Sequence, residues 1–285
     1  MLVNLQEIMA IATKEKIAIG AFNVCNWEFA KSIISAAEKC NRPVIIQYAD
    51  GHAPFMSLEE AGFIMLHFAK QAKVPVCVNF DHGSSLERCM IAINNGFTSV
   101  MIDSSAKGYK ENIAETKAVV RAAHAVNVGV EAELGHILSH ENGISDDNIN
   151  KNDEYTHPDV AKDFIEQTGV DALAIAFGTA HGLYLKKPVL DLNRIKEIKA
   201  AKDIPYVMHG GSGLSKEEFQ TAIRNGIRKI NFYTYMSLAA GMAVKEAMDK
   251  VKPGENVFYH DIPVIAEKAT EEKIIEAIKT FALEI

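Results

Sequence analysis

Three of the ten histidines in this 285-residue chain are followed directly by glycine: His82 in DHG, His181 in AHG and His209 in MHG. Imidazole titrates near neutrality and is the commonest nitrogen ligand of transition metals, so the three steps raise metal-assisted or acid–base chemistry. Asp81 sets a carboxylate beside the first of them. The four cysteines (Cys25, Cys40, Cys77 and Cys89) are widely spaced and form no C-x-x-C pair. In a chain too large to need disulfide staples they read as reduced, mostly buried thiols, which fits a cytoplasmic protein.

Short β-rich runs recur at 17–23, 43–49, 75–81, 98–103, 129–135, 171–177, 204–210 and 227–233, with helix-length segments such as SLEEAGFIMLHFAKQAK and YKENIAETKAVVRAAHAVN between them. Ser215 and Glu218 form a capping box ahead of one helical stretch. Strand and helix alternate without a linker. The pattern predicts one α/β domain over residues 1–285, a single (β/α)8 TIM barrel, rather than a doubly wound sheet with a second domain.

Active sites of such barrels lie at the C-terminal strand ends. The three His-Gly steps fall at or just after the ends of the third, sixth and seventh predicted strands. Alternation sends Cys77, Asn79 and Asp81 into the barrel, together with Glu131, Glu133, Lys229 and Asn231. Buried carboxylates, amides and a lysine are costly unless paired or bound to metal. Three imidazoles on one rim, without thiolates, suit Zn²⁺ in a site that keeps a position open for water or substrate. His52, His67, His124, His136, His140, His157 and His260 sit on helices or loops without such a pattern and are read as solvated or structural. HGGSGLSKEE follows the seventh strand and leads into a helix whose N-terminal amides can hold an anion, an arrangement that fits phosphate. After the fifth strand comes a long polar stretch without periodicity, HILSHENGISDDNINKNDEYTHPD, of the length expected of a lid, a binding loop or a disordered segment.

Composition narrows the partners. A formal charge of −7 argues against a broad nucleic-acid footprint. No stretch approaches 18 uninterrupted apolar residues, and the start lacks a signal-peptide segment, so no membrane partner is expected.

The motifs AFNV, DHG, MIDSS, EAELG, GTAHGLY, HGGSG and NFYT, in this order over nearly the whole chain, resemble the class II, metal-dependent ketose-phosphate aldolases, the group of fructose- and tagatose-1,6-bisphosphate aldolases. The resemblance implies that His82, His181 and His209 hold the catalytic zinc, with Glu133 beside it in a supporting or alternate-ligand role. It makes Asp81 the group that exchanges a proton with the C4 oxygen, and Glu141 the loop glutamate that moves the C3 proton of dihydroxyacetone phosphate. It assigns Asn23, Gly182, Gly210, Gly211, Ser212, Asn231 and Thr234 to the sugar phosphate. A monovalent cation, Na⁺ or K⁺, near that phosphate and a homodimer or homotetramer are implied as well.

Three departures bear on substrate. Tyr233 stands where fructose-bisphosphate members carry aspartate in N-x-D-T, and Ala49 where many relatives have serine. Bisphosphate members also bring a C-terminal arginine to the second phosphate, whereas the last arginine here is Arg228. Lysine holds phosphate only as a point charge, so the aldehyde half of the substrate is expected to differ. A zinc-dependent TIM-barrel hydrolase is the alternative enzyme class, although AFNV replaces the H-x-H pair common on the first strand of such proteins. A non-catalytic sugar-phosphate-binding subunit is the other alternative, and it predicts loss of a ligand or proton-transfer group.

Overall fold

In the computed structural model, which describes residues 1–135, 137–139, 155–182 and 188–284, each predicted run forms a strand. These are β1 (Ile19–Asn23), β2 (Val44–Ala49), β3 (Val76–Gly83), β4 (Ser99–Ile102), β5 (Gly129–Leu134), β6 (Ala172–Ile175), β7 (Tyr206–Met208) and β8 (Ile227–Phe232). Each pairs in parallel with its chain neighbours, and β8 pairs with β1 through Lys229–Ile19 to Phe232–Phe22, so the sheet closes. The architecture is a (β/α)8 barrel ringed by helices. Strands β6 and β7 are shorter than their apolar runs suggest, because their last residues turn out of the sheet to build the rim.

The period-two pattern sorts the side chains as predicted. Val76, Val78 and Phe80 pack outward against helices, as do Val130, Ala132 and Leu134. Inside the barrel a separate apolar layer of Ile19, Ala21, Ile45, Cys77, Ala172, Ala174 and Val207 meets the helix Leu5–Glu15, whose Leu5, Ile8, Met9 and Ala12 close the N-terminal end. A plug of apolar residues at that end leaves polar chemistry to the opposite mouth.

Local signals fix the flanking helices. Ser215 accepts from the Glu218 amide while Glu218 accepts from the Ser215 amide, the reciprocal cap expected of the sequence. Leu58–Gln71 starts the same way on Ser57 and Glu60. The helix Thr234–Asp249 has no side-chain cap. Three short strands join the pattern without having been expected: Leu2–Val3 extends beside β3, and Leu138–Ser139 pairs with Ala180–His181.

Candidate active site

Asp81 and His82 end β3. Strict alternation would send only Asp81 inward, but the register with β4 shifts between Phe80 and Gly83, and His82 adopts a left-handed φ of 51°. A bulge of this kind re-aims a side chain at a barrel rim. Both residues consequently face the same cavity. Gly83 is required next: a Cβ there would lie 2.6 Å from the Met101 carbonyl oxygen and 2.9 Å from Cys89 Sγ. Gly210, at φ 64°, allows the Ala180 backbone to approach within 2.4 Å of where a Cβ would stand, which seats the His181 segment against β7.

These contacts gather the three predicted imidazoles. Ring centroids are 4.7 Å apart for His82 and His209, 5.1 Å for His82 and His181, and 5.7 Å for His181 and His209. Two of the rings have a distinct carboxylate support. His82 Nδ1 lies 2.8 Å from Asp103 Oδ2, and His209 Nε2 lies 2.9 Å from Glu131 Oε1. If those nitrogens carry the hydrogens, His82 Nε2 and His209 Nδ1 are left as two lone-pair atoms only 3.1 Å apart. His181 Nε2 is buried without a hydrogen-bond partner among the described residues. Glu133 Oε2 stands 3.5 Å from His209 Nδ1, and Ser105 Oγ, which donates to Asp103 Oδ1 at 2.7 Å, lies 3.2 Å from Glu133 Oε1.

This donor set fits a divalent ion. Carboxylates behind the ring nitrogens orient ligands and raise their basicity, and the potential ligand atoms of His82, His181 and His209 lie within 4.8 Å of one another. The electrostatics agree. Burial pushes the Glu133 carboxyl up to about 8, aided by Asp103. Burial also pushes His181 down to about 3, with His82 and His209 adding to the effect, and holds His209 well below its ordinary value. At His82 burial opposes the charge, but Asp81, Asp103 and Glu133 outweigh it and push the ring up to about 10. The carboxylates of Asp81, Asp103 and Glu133 around His82 favour a positive charge at this position, which a bound cation would supply.

Asp81 is held from two sides. Asn231 Nδ2 donates to Oδ1 at 3.1 Å and Gln47 Nε2 to Oδ2 at 3.0 Å, while Gln47 also reaches Asn23 Oδ1 at 3.0 Å. Burial works against its charge, yet His82, Lys229 and His209 keep the carboxyl below its ordinary range. Below it the fully buried Lys229 Nζ forms an ion pair with Glu131 Oε2 at 2.7 Å, so the inward lysine and glutamate balance each other's charge.

The cavity, about 460 Å³, opens at the C-terminal mouth. Asn23, Gly182, Gly210, Ser212, Asn231 and Thr234 line it beside Asp81, His82, His181 and Glu133. Gly211 and the fully buried His209 stand just behind that lining, Gly211 against Phe219 and Met208. Thr234, which lines the cavity, opens a helix without a side-chain cap, and the N-terminal amides of such a helix can hold an anion. Glu141 lies outside the described residues, as do His136 and His140.

Two groups of site residues are not evident from the sequence pattern. Asp103 and Gln47 act as supports; alternation would have marked Gln47 as inward, and Asp103 follows a strand end. His52, read from the sequence as solvated or structural, lines the cavity, with its ring 4.9 Å from that of Tyr233.

The family model described as "Fructose-bisphosphate aldolase class-II" matches residues 3–284. Among curated proteins, YdjI of Escherichia coli (strain K12) is 39% identical over 273 residues, covering 95% of this chain and 94% of its own. Fructose-bisphosphate aldolase of Staphylococcus aureus (strain Mu50) is 38% identical over 258 residues, covering 88% and 87%. The crystal structure of the YdjI aldolase from Escherichia coli K12 superposes with a TM-score of 0.86 at 37% identity, over 99% of this chain and 97% of that one. Sequence, fold and site agree, and the chain belongs to the class II fructose-bisphosphate aldolase family, metal-dependent lyases.

Proposed function

We propose that this protein catalyses reversible aldol cleavage of a ketose 1-phosphate or ketose 1,6-bisphosphate to dihydroxyacetone phosphate and an aldehyde. The observation that carries the reading is the convergence of His82, His181 and His209 within reach of Asp81 at one mouth of the barrel. His82, His181 and His209 would hold Zn²⁺, with Glu133 beside them; nitrogen donors without thiolates favour that ion in an open site. When bound, it supplies the electrophile that stabilises negative charge on the substrate carbonyl and neighbouring hydroxyl as the carbon–carbon bond breaks.

The chain's own residues do the rest. Asp81, ionised and oriented by Asn231 and Gln47, takes the proton from the C4 hydroxyl. The C3–C4 bond breaks, C4 leaves as the aldehyde carbonyl, and the electron pair stays on C3 as an enediolate. Glu141 returns a proton to C3, which balances the cleavage and releases dihydroxyacetone phosphate. Gly182, Gly210, Gly211, Ser212, Asn231 and Thr234 cradle the phosphate, and Asn23 contacts the sugar chain. A monovalent cation, Na⁺ or K⁺, beside that phosphate belongs to the same reading.

The second phosphate is the part we assign differently from a bisphosphate enzyme. No Lys or Arg lines the cavity among the described residues, and no arginine follows Arg228. We therefore favour ketose 1-monophosphates. A homodimer or homotetramer is supported by Leu238, Met242, Val257, Phe258, Tyr259 and Val264, large apolar side chains exposed on two packed helices and their connection. Four free cysteines support a cytoplasmic setting, and no helix among the described residues is long and apolar enough to cross a membrane. We read residues 1–285 as one domain.

Release of dihydroxyacetone phosphate from the zinc-loaded protein tests the reading, with fructose 1,6-bisphosphate, tagatose 1,6-bisphosphate and ketose 1-monophosphates compared by kcat/KM. Monophosphates should lead. Ester or amide hydrolysis without dihydroxyacetone phosphate would favour the zinc hydrolase, and inertness toward every ketose phosphate a binding subunit.

A further inference from the structure

Beyond the phosphate cradle of β7 and β8, the cavity continues to the ends of β1 and β2. Asp81 is in register with Ala49 of β2 and hydrogen-bonded to Gln47 of the same strand. A linear substrate with its phosphate at Ser212 and Thr234 and its C4 oxygen at Asp81 therefore sends its remaining carbons toward Ala49, Gly51 and His52. Two rings from distant parts of the chain close this end. His52 stands in a one-turn helix, Asp50–His52, and Tyr233 follows β8.

A thiol ties them together. Cys25 Sγ lies 3.2 Å from His52 Nδ1 and 3.4 Å from Tyr233 Oη. With the single thiol hydrogen donated to Tyr233, the imidazole donates from Nδ1 to sulfur, so one atom orients both rings. The turn that carries His52 is anchored from outside. Arg88 Nη2 and Nε reach Asp50 Oδ1 at 2.6 and 2.9 Å, and Ser84 Oγ donates to Asp50 Oδ2 at 2.7 Å. That pairing also engages the Arg88 guanidinium. Among the described residues this wall presents a phenol, an imidazole and small residues, a surface suited to hydroxyl groups rather than to a dianion.

We propose that His52 and Tyr233, braced by Cys25, form the wall that receives the aldehyde half of the substrate and select a hydroxylated, unphosphorylated aldehyde. The proposal rests on the aldolase reading above. It assigns the two residues a specificity role, separate from proton transfer at Asp81.

The test is condensation of dihydroxyacetone phosphate with glyceraldehyde, propanal or glyceraldehyde 3-phosphate by the zinc-loaded full chain. The wild type should prefer glyceraldehyde to propanal, which lacks its hydroxyls, and to the phosphorylated aldehyde, by about ten-fold or more in kcat/KM. His52→Phe and Tyr233→Phe should each erode the glyceraldehyde-to-propanal preference roughly ten-fold. Zinc content and KM for dihydroxyacetone phosphate should stay within about two-fold. His52→Gln, which keeps an acceptor and reports on any folding defect of the bulkier change, should retain a large part of the preference. An active wild type that prefers glyceraldehyde 3-phosphate, or variants whose preference does not move, would overturn the wall assignment alone. Failure of the wild type to join any aldehyde overturns the aldolase reading and the wall with it.

Discussion

Asp103 Oδ2 sits 2.8 Å from His82 Nδ1, so one ring nitrogen is occupied by a carboxylate while the other faces His209. The contact fixes both the tautomer and the tilt of a proposed ligand. Removing a partner of this kind costs roughly 10- to 100-fold in metal affinity. Asp103→Ala should lose zinc affinity by that factor in competition with a chromophoric chelator. Asp103→Asn, which can still accept from Nδ1, should fall between the variant and the wild type.

Asp81 and His209 separate chemistry from metal retention. Asp81→Ala removes the proposed base and leaves the three rings in place, so zinc stoichiometry should hold while kcat drops by roughly 10²- to 10⁴-fold. His209→Ala should lose zinc and turnover together. Metal analysis alongside kinetics distinguishes the two, and unchanged turnover in either variant contradicts the assignment.

Gly210 makes a steric prediction. An alanine at φ 64° would place its Cβ 2.4 Å from the Ala180 carbonyl group, and backbone cannot yield as a side-chain tip can. Gly210→Ala should push the Ala180–His181 strand away from β7, weakening zinc binding more than it lowers the melting temperature. Equal zinc affinity in titrations of variant and wild type would contradict this.

The Lys229–Glu131 pair tests the polar floor of the site. Both side chains are fully buried, and deleting one partner of such a pair leaves an uncompensated charge at a cost of about 3–5 kcal/mol. Lys229→Met should lower the urea midpoint by an amount corresponding to that loss. The double variant Lys229→Met, Glu131→Gln should recover much of it, because the unpaired charge is gone.

Burial pushes the thiols of Cys77 and Cys89 up to about 12 from an ordinary 9.0. At pH 8 the native thiolate fraction is therefore roughly one in 10⁴, and iodoacetamide should label neither until urea unfolds the chain. The same shift sets a stability trend. The unfolded chain releases these protons near pH 9 and the native state only near 12, so this contribution is whole below pH 9 and is lost between 9 and 12. Urea midpoints should fall from pH 8 to pH 10.

Much of the barrel could be read from the chain because strand alternation is local. A period of two sends Asp81, Glu131, Glu133, Lys229 and Asn231 to one face whatever lies around them, and recurring strand–helix units leave few ways to close a parallel sheet. The three His-Gly steps were legible for the same reason, each ending a strand or standing just beyond one. Partner choice was not local. That Asp103 backs His82, that Glu131 serves both His209 and Lys229, and that His52 meets Tyr233 are distances between separate strands and turns, which only closure of the barrel sets. His82 itself faces the cavity through a bulge and a left-handed φ that alternation cannot foresee, because the cost of that backbone is borne by packing around Gly83 rather than by the sequence on either side.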